Sequence, residues 1–435
     1  MSAVKRVALV VLYAIPPLFS ALYAGATEIA DGQFTPWRPV MIDLDVYVRT
    51  AELVLQGQDF YNVEGAWLPW LYTPFAALLA IPFAFMSTVG AQVFWLLVNG
   101  LMVMAIIHRL GFKGWRLSLL SVAAIWLIEP MRVTLGFGQV NLFLMALVVF
   151  DLMPGPRVLG DRKRLLPQGW LTGIAAAIKL TPALFAVYLF LAGRVKTAIV
   201  TFLSFLAATI IGFIVLPGDS INYWGRLIGG DSGLNTGMKY YTNQSIIGSY
   251  IRFSQENPDS IPLGGLVLAM LVIIIGVFAA VLWHRLGHMG FAVGLAAMTA
   301  LLASPISWSH HFVWILPLAV VLITDKKLPD AVRFVGLGFS LWVMYAPFMQ
   351  FKDGEDEFLY PFSKKLIDAG SVIFGLTLFA VAIFCALRAR RAQGLPWLPL
   401  TLREQEKGGV REVEPAGASQ TTGPADGTQR TGGAN

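Results

Sequence analysis

One cysteine, Cys385, stands in a chain of 435 residues. Intrachain disulfides are therefore excluded, and so is any metal site built from several thiolates. Charge is scarce as well. Asp, Glu, Lys and Arg make up 13% of the chain, against about a quarter in an ordinary soluble domain. There is no glycine-rich phosphate loop, no HExxH pattern and no serine–histidine–aspartate arrangement, so the usual sequence signatures of nucleotide-driven and hydrolytic enzymes are missing. The net charge of +6 does not point to nucleic acid, because the basic residues cluster at the ends of apolar runs and read as topology determinants.

What fills the chain instead is hydrophobic residue, 56% of it. That is the composition of an all-α polytopic membrane protein, long enough for a bundle of about 12 helices. Spans are expected near 7–25, 90–108, 117–131, 134–152, 197–216, 263–283, 289–303, 312–324, 331–348 and 369–387. Lys5 and Arg6 before the first run read as an uncleaved signal anchor. Tyr72–Met86 carries Pro74 and Pro82 and is short, so it reads as an interfacial helix in the first outer loop. Trp170–Leu191 is interrupted by Lys179-Leu180-Thr181-Pro182, which predicts two half-helices meeting at a polar break.

The positive-inside rule then orients the chain. Lys5/Arg6, Arg109/Lys113/Arg116, Arg157/Arg162/Lys163/Arg164, Arg194/Lys196, Arg285, Lys326/Lys327 and Arg388/Arg390/Arg391 fall on one side, the expected cytoplasmic side. The outer loops become Thr27–Leu71, Pro217–Pro262, Ser304–His311 and Gln350–Asp368. A membrane domain over 1–392 is followed by a tail, 393–435, which beyond Leu402 is rich in Gly, Thr, Glu and Gln and is expected to be disordered and cytoplasmic. No internal repeat is visible, which counts against a transporter built from inverted halves.

The polar residues near the membrane form one set: Asp43 and Asp45, Glu129 and Arg132, Gln139 and Asn141, Lys179, Asn243 and Gln244, and His310 with His311. All but Lys179 fall in outer loops or near outer helix ends, which suggests one outward-facing site at the membrane surface. Ionisable groups at such positions are costly and tend to mark function. An acid there suits general-base removal of a proton from a sugar hydroxyl, and cations suit a phosphate leaving group. Plainer readings exist for each. The acids cap the following helix, the histidines join an aromatic belt with Trp308 and Trp314, Lys179 snorkels, and Glu129 pairs with Arg132 three residues on. Asn243-Gln244-Ser245 also matches a glycosylation sequon, a weak signal.

Six stretches in order carry a resemblance: Asp43-Leu44-Asp45-Val46-Tyr47, Tyr72-Thr73-Pro74-Phe75, Gly138-Gln139-Val140-Asn141, Ala177–Pro182, Asn243-Gln244-Ser245 and Ser304–His311. Together they resemble family 87 of the glycosyltransferases, polytopic enzymes of the GT-C fold that use polyprenyl-phosphate sugars. The resemblance implies a mycobacterial or related actinobacterial α-mannosyltransferase of the phosphatidylinositol-mannoside or lipomannan α-1,2 type. It implies a polyprenyl-phosphate-mannose donor, a glycolipid acceptor, a plasma-membrane location and a site facing the periplasm. In the wider fold the first outer loop supplies an essential Asp four residues before a Tyr, which favours Asp43, with Tyr47, over Asp45. The family's usual Tyr-Pro-Pro is Tyr72-Thr73-Pro74 here.

The expected reaction is inverting transfer in one displacement. Asp43 takes the acceptor proton and polyprenyl phosphate leaves. Asp45 or His310/His311 orients the acceptor or the phosphate. Arg132, Lys179 and Lys239 are candidate phosphate partners. No metal and no cofactor are expected, because the acids lack a set of hard oxygen ligands. A lipid-linked sugar flippase or transporter would explain polar residues in the membrane without any base, and a non-catalytic protein of envelope assembly would explain the spans alone.

Overall fold

The computed structural model describes residues 3–30, 33–35, 37–63, 68–157, 164–229, 237–351 and 354–396. Helix α1 (Ala3–Ala26) leads into an antiparallel ribbon, Glu28–Ala30 against Gln33–Thr35. Next come α2 (Ile42–Gln56), α3 (Pro74–Ala80) with a 3₁₀ continuation at Ile81–Phe85, and α4 (Thr88–Arg109). Helices α5 (Gly114–Leu127), α6 (Glu129–Phe137), α7 (Asn141–Leu152), α8 (Trp170–Ile178) and α9 (Leu184–Leu191) follow. The second half holds α10 (Val195–Val215), α11 (Pro217–Ile228), α12 (Ile246–Ser254), α13 (Leu263–Arg285) and α14 (Met289–Ala303). It closes with α15 (Ile315–Thr324), α16 (Asp330–Tyr345), α17 (Phe362–Asp368) and α18 (Gly370–Ala392).

The chain is an all-α multi-pass membrane protein. Among the described residues, α1, α4, α10, α13, α16 and α18 are long and apolar enough to cross a bilayer. Their outward side chains agree. Phe202, Leu203, Ile210 and Ile214 on α10, and Leu266, Met270 and Ile274 on α13, are exposed. Such continuous apolar faces are stable against lipid tails and costly in water. Beside these six, the described residues hold one bent pair and five shorter apolar helices, so six or seven spans pass by length and composition.

Two expected spans are corrected. The stretches 117–131 and 134–152 are not the observed units. The first is α5, which ends at Leu127, and α6 leaves it at 81°. Pro130 explains the bend, since it has no N–H with which to continue the α5 ladder. The second is α7 alone, starting at Asn141, because Gly138 ends α6 in the left-handed conformation.

The polar break is present. Lys179 is extended (φ −140°, ψ 132°) between α8 and a 3₁₀ turn at Thr181–Ala183, with Pro182 in the first turn of that 3₁₀ segment. The two arms fold back on each other. Arg194 Nη2, just past α9, donates to Gln168 Oε1, just before α8, at 2.8 Å. The same end of the bundle gathers other expected cytoplasmic groups. Arg109 donates to the Met153 and Gly155 carbonyls at 2.6 Å. Asp151 accepts from the backbone of Gly169 and Thr172 at 3.0 Å and from Arg164 at 3.2 Å. The expected tail lies outside the described residues from 397 onward, as do Arg162 and Lys163.

Candidate active site

The site forms at the opposite end, where α2 meets the apex of the α8–α9 hairpin. Helix α2 begins under strain. Met41 precedes it with φ 35° and ψ 43°, a left-handed conformation that a side chain with Cβ adopts at a cost. Its N–H donates to the Gly136 carbonyl at 2.9 Å, which fixes the start of α2 against α6. Asp43 and Asp45 both fall in the first turn, where the helix dipole favours a carboxylate. They do not share a face. Residues two apart on a helix lie about 200° apart; Asp43 and Tyr47 turn inward, while Asp45 is exposed.

Tyr47 and Tyr72 meet at 3.0 Å between hydroxyls. Both donate to Gln139 Oε1, at 3.3 and 3.1 Å. Gln139 reaches them because the residue before it is glycine. Gly138 has φ 68°, and a Cβ there would stand 2.7 Å from Leu44 Cβ on α2. Its carbonyl accepts from Trp95 Nε1 at 2.7 Å. Burial pushes the Asp43 carboxyl up to about 6, against the opposing pull of a hydrogen bond with Gln139 and the charge of Lys179.

Lys179 stands across this group, half-buried at the hairpin apex. Its Nζ lies 3.0 Å from His311 Nε2 and 5.6 Å from the centre of the Tyr72 ring. Thr73 Oγ1 donates to the Ala177 carbonyl and ties the Tyr72 segment to the end of α8. His310 packs edge-on to His311 at 4.8 Å and to Phe137 at 5.5 Å. The structure thus brings Asp43, Tyr47, Gln139, Lys179, His310 and His311 together.

The remaining expected residues have other places. Glu129 accepts from Ser309 Oγ at 3.1 Å rather than pairing directly with Arg132. Asn141 Nδ2 and Thr134 Oγ1 both donate to the His310 carbonyl, at 3.1 and 2.9 Å. These three brace the histidine segment. Asn243 Oδ1 accepts from Ser307 N at 2.9 Å, its amide donates to Pro305 O at 3.1 Å, and Gln244 N donates to Ser307 O at 2.8 Å. Gln244 in turn donates to Asp368 at 3.1 Å and accepts from Ser371 at 2.7 Å. With both side chains buried and spent on this frame, they position the loop 304–308. Lys239 is held by Asp356 at 3.2 Å and Glu357 at 3.8 Å, and Arg132 is exposed.

Tyr72 is the member of the cluster that residue-by-residue reading missed, although its motif was visible. Arg252 and Asp368 were also missed. They form a fully buried ion pair beneath Asn243 and Gln244. Each is one of several charges in its expected outer loop, and nothing along the chain marks the two as partners.

The assembly places a half-buried acid opposite a cation, with hydroxyl and amide groups between them. An acid so placed can take a proton from a bound hydroxyl, and an ammonium can take up charge on a departing phosphate.

The glycosyltransferase family 87 model matches residues 70–305. A polyprenol-phosphate-mannose-dependent α-(1-2)-phosphatidylinositol mannoside mannosyltransferase of Mycobacterium tuberculosis is 31% identical over 330 residues, 66% of this chain and 73% of that protein. The protein of the same description in Mycolicibacterium smegmatis is 29% identical over 342 residues, 70% of this chain and 76% of its own. A polyprenol-phosphate-mannose-dependent α-(1-2)-phosphatidylinositol pentamannoside mannosyltransferase of M. tuberculosis is 31% identical over 320 residues, 68% of this chain and 70% of its own. No solved structure matches. The matched stretch contains Tyr72, Gln139 and Lys179, the groups against which Asp43 and His311 are set, and the chain belongs to glycosyltransferase family 87.

Proposed function

We propose that this chain transfers mannose from polyprenyl-phosphate-mannose to a glycolipid of the phosphatidylinositol mannoside class, in an α-1,2 linkage, at the outer face of the plasma membrane. The observation that carries the reading is the facing of Asp43 and Lys179 across Gln139 and Tyr72. It is supported by the relatives' shared donor and acceptor class.

In this reading Asp43 is the general base. The acceptor hydroxyl loses its proton to the carboxylate and attacks the anomeric carbon. The bond from that carbon to the phosphate oxygen breaks, and polyprenyl phosphate leaves with the electron pair. A β-linked donor gives an α-linked product. Lys179 takes the developing phosphate charge. His310 has a buried Nε2 with no protein partner among the described residues, and so has a donor or acceptor to spare beside Lys179. Gln139 orients the Asp43 carboxylate, and Tyr47 and Tyr72 hold Gln139 in turn.

The outer orientation rests on the basic clusters at the other end of the bundle, which follow the positive-inside rule. Helix α3 (7 residues) with its 3₁₀ continuation (5 residues) is roughly 20 Å long, at about 1.5 Å per α-helical and about 2.0 Å per 3₁₀ residue. That length suits a helix lying in the outer interface.

The test is transfer of radiolabelled mannose by the purified chain, wild type against Asp43→Asn. Loss of transfer with donor binding kept supports the reading. Passage of the lipid-linked sugar across a vesicle bilayer with no glycoside product would replace it with transport.

A further inference from the structure

The exposed Asp45 has a setting of its own. It lines a cleft of about 190 Å³ between α2 and the first turn of α4, with Arg49, Thr88 and Gln92 as the other polar groups and Leu68 as an apolar wall. The volume is below the about 300–1,000 Å³ of pockets that take a whole ligand. It suits one polar unit of a larger molecule. Asp45 and Arg49 are four apart and so share a face of α2. Arg49 spends one N–H on the Leu68 carbonyl, at 2.6 Å, and a guanidinium has five.

The surroundings narrow the occupant. The cleft sits at the start of α4, one of the long apolar helices, and so at the level where that helix leaves the bilayer. Phe85 and Val89, beside Thr88, are 76% and 55% exposed. A carboxylate, an amide and a hydroxyl suit a polyol, a free guanidinium suits a phosphate, and apolar side chains at the membrane edge suit acyl chains. One molecule with all three parts is an anionic glycolipid.

We infer that the Asp45–Arg49–Thr88–Gln92 cleft is an acceptor subsite, distinct from the reacting centre, which holds the head group of a glycophospholipid. Arg49 takes the phosphate, and Asp45 and Gln92 take sugar hydroxyls. This rests on the proposed transfer reaction for its acceptor class. Asp43 and the cleft lie on different faces at one end of α2, so the acceptor bends over Met41 and Ile42, with its far sugar reaching Asp43. Helix α2 then carries the base on one face and the anchor on the other.

The test uses the full chain in detergent–lipid micelles with two acceptors. One is a phosphatidylinositol mannoside. The other is octyl α-mannoside, which has a sugar and an alkyl chain but no phosphate. The Asp45→Ala/Gln92→Ala variant is expected to raise the KM for the phospholipid acceptor about tenfold, the loss of a net hydrogen bond or two. The donor KM should stay within about twofold by the same measure. Arg49→Gln should raise the KM for the phospholipid acceptor more than that for octyl α-mannoside. An unchanged acceptor KM in the double variant, or equal effects of Arg49→Gln on the two acceptors, overturns the subsite. Direct binding of the phosphatidylinositol mannoside keeps the two readings apart. If the wild type binds it and transfers nothing, the transfer reading fails, and weaker binding by the variants still supports the cleft. Equal binding by wild type and both folded variants overturns it.

Discussion

Replacing Asp43 by Asn should lower activity and raise stability at once. The base contributes about a hundred-fold to ten-thousand-fold in rate, so transfer should fall by that order. The stability change follows from burial, which lifts the carboxyl from 3.8 to about 6. Ionising the group in the folded protein is therefore harder than in the unfolded chain. The sign is that of a raised acid. The fold is favoured while the group stays protonated, below about 3.8, and loses stability as pH rises from there through about 6. A shift of about two units at 1.36 kcal/mol each is about 3 kcal/mol at pH 7.5. Asn at this position does not ionise and escapes that cost. That cost is already net of the attraction to Lys179 and the hydrogen bond with Gln139, so about 3 kcal/mol is the ceiling of the gain.

Thermal unfolding in detergent at a series of pH values reads the stability, and kcat/KM over the same series reads the base. The variant should melt above the wild type at pH 7.5, and the gap should close as pH falls towards 4. Wild-type kcat/KM should fall below pH about 6 with the fraction of ionised Asp43, and Asn should abolish that limb. An Asn variant that melts below the wild type at pH 7.5 would refute the argument from burial. One that transfers mannose at more than about a tenth of the wild-type rate would refute the assignment of the base.

Four further outcomes are expected. Gly138→Ala meets both a left-handed backbone and the Leu44 Cβ at 2.7 Å; it should cost about 1–3 kcal/mol of stability, read by thermal unfolding, and lower kcat through Gln139. Lys179→Ala should raise the KM for the donor more than for the acceptor, and Lys179→Arg should not restore it, because the two cations differ in shape and hydration. Asp368→Ala leaves Arg252 buried without its partner and should cost about 3–5 kcal/mol, measured as a lowered Tm. In a Cys385→Ser background, cysteines at positions 45 and 364 should react with an impermeant reagent from outside, and one at 116 should not; labelling of 116 from outside would overturn the orientation.

The parts of this molecule that were legible in the sequence depend on neighbours along the chain. The hairpin break was visible because Lys179 and Pro182 are three residues apart, and both resist a continuous apolar helix. The long spans were visible from length alone. The spans 117–131 and 134–152 were misread because hydropathy registers an apolar run, whereas Pro130 and Gly138 decide how the run folds. The separation of Asp43 from Asp45 was within reach of helical periodicity, since Tyr47 lies on the Asp43 side. Asn243 and Gln244 mark the harder limit. A buried amide in an apolar chain marks either a ligand site or a frame. Only their partners, Ser307, Pro305, Asp368 and Ser371, decide for the frame.

That frame changes how loss of activity in this chain should be interpreted. The groups of the proposed reaction come from five separate segments: the start of α2, the segment before α3, the turn after α6, the hairpin apex and the 304–311 loop. The histidine loop owes its place to Glu129, Thr134, Asn141, Asn243 and Gln244. Gln244 in turn leans on Asp368 and Ser371, well past the stretch that marks the family. A displacement of the reacting groups by about 1 Å can cost a hundred-fold in rate. Substitutions at Gln244 or Asp368 can therefore lower transfer about a hundred-fold without touching substrate. The pH limb of the residual activity separates the two cases. A displaced site with Asp43 intact still loses activity as that carboxyl protonates, whereas a site without Asp43 has no such limb to lose.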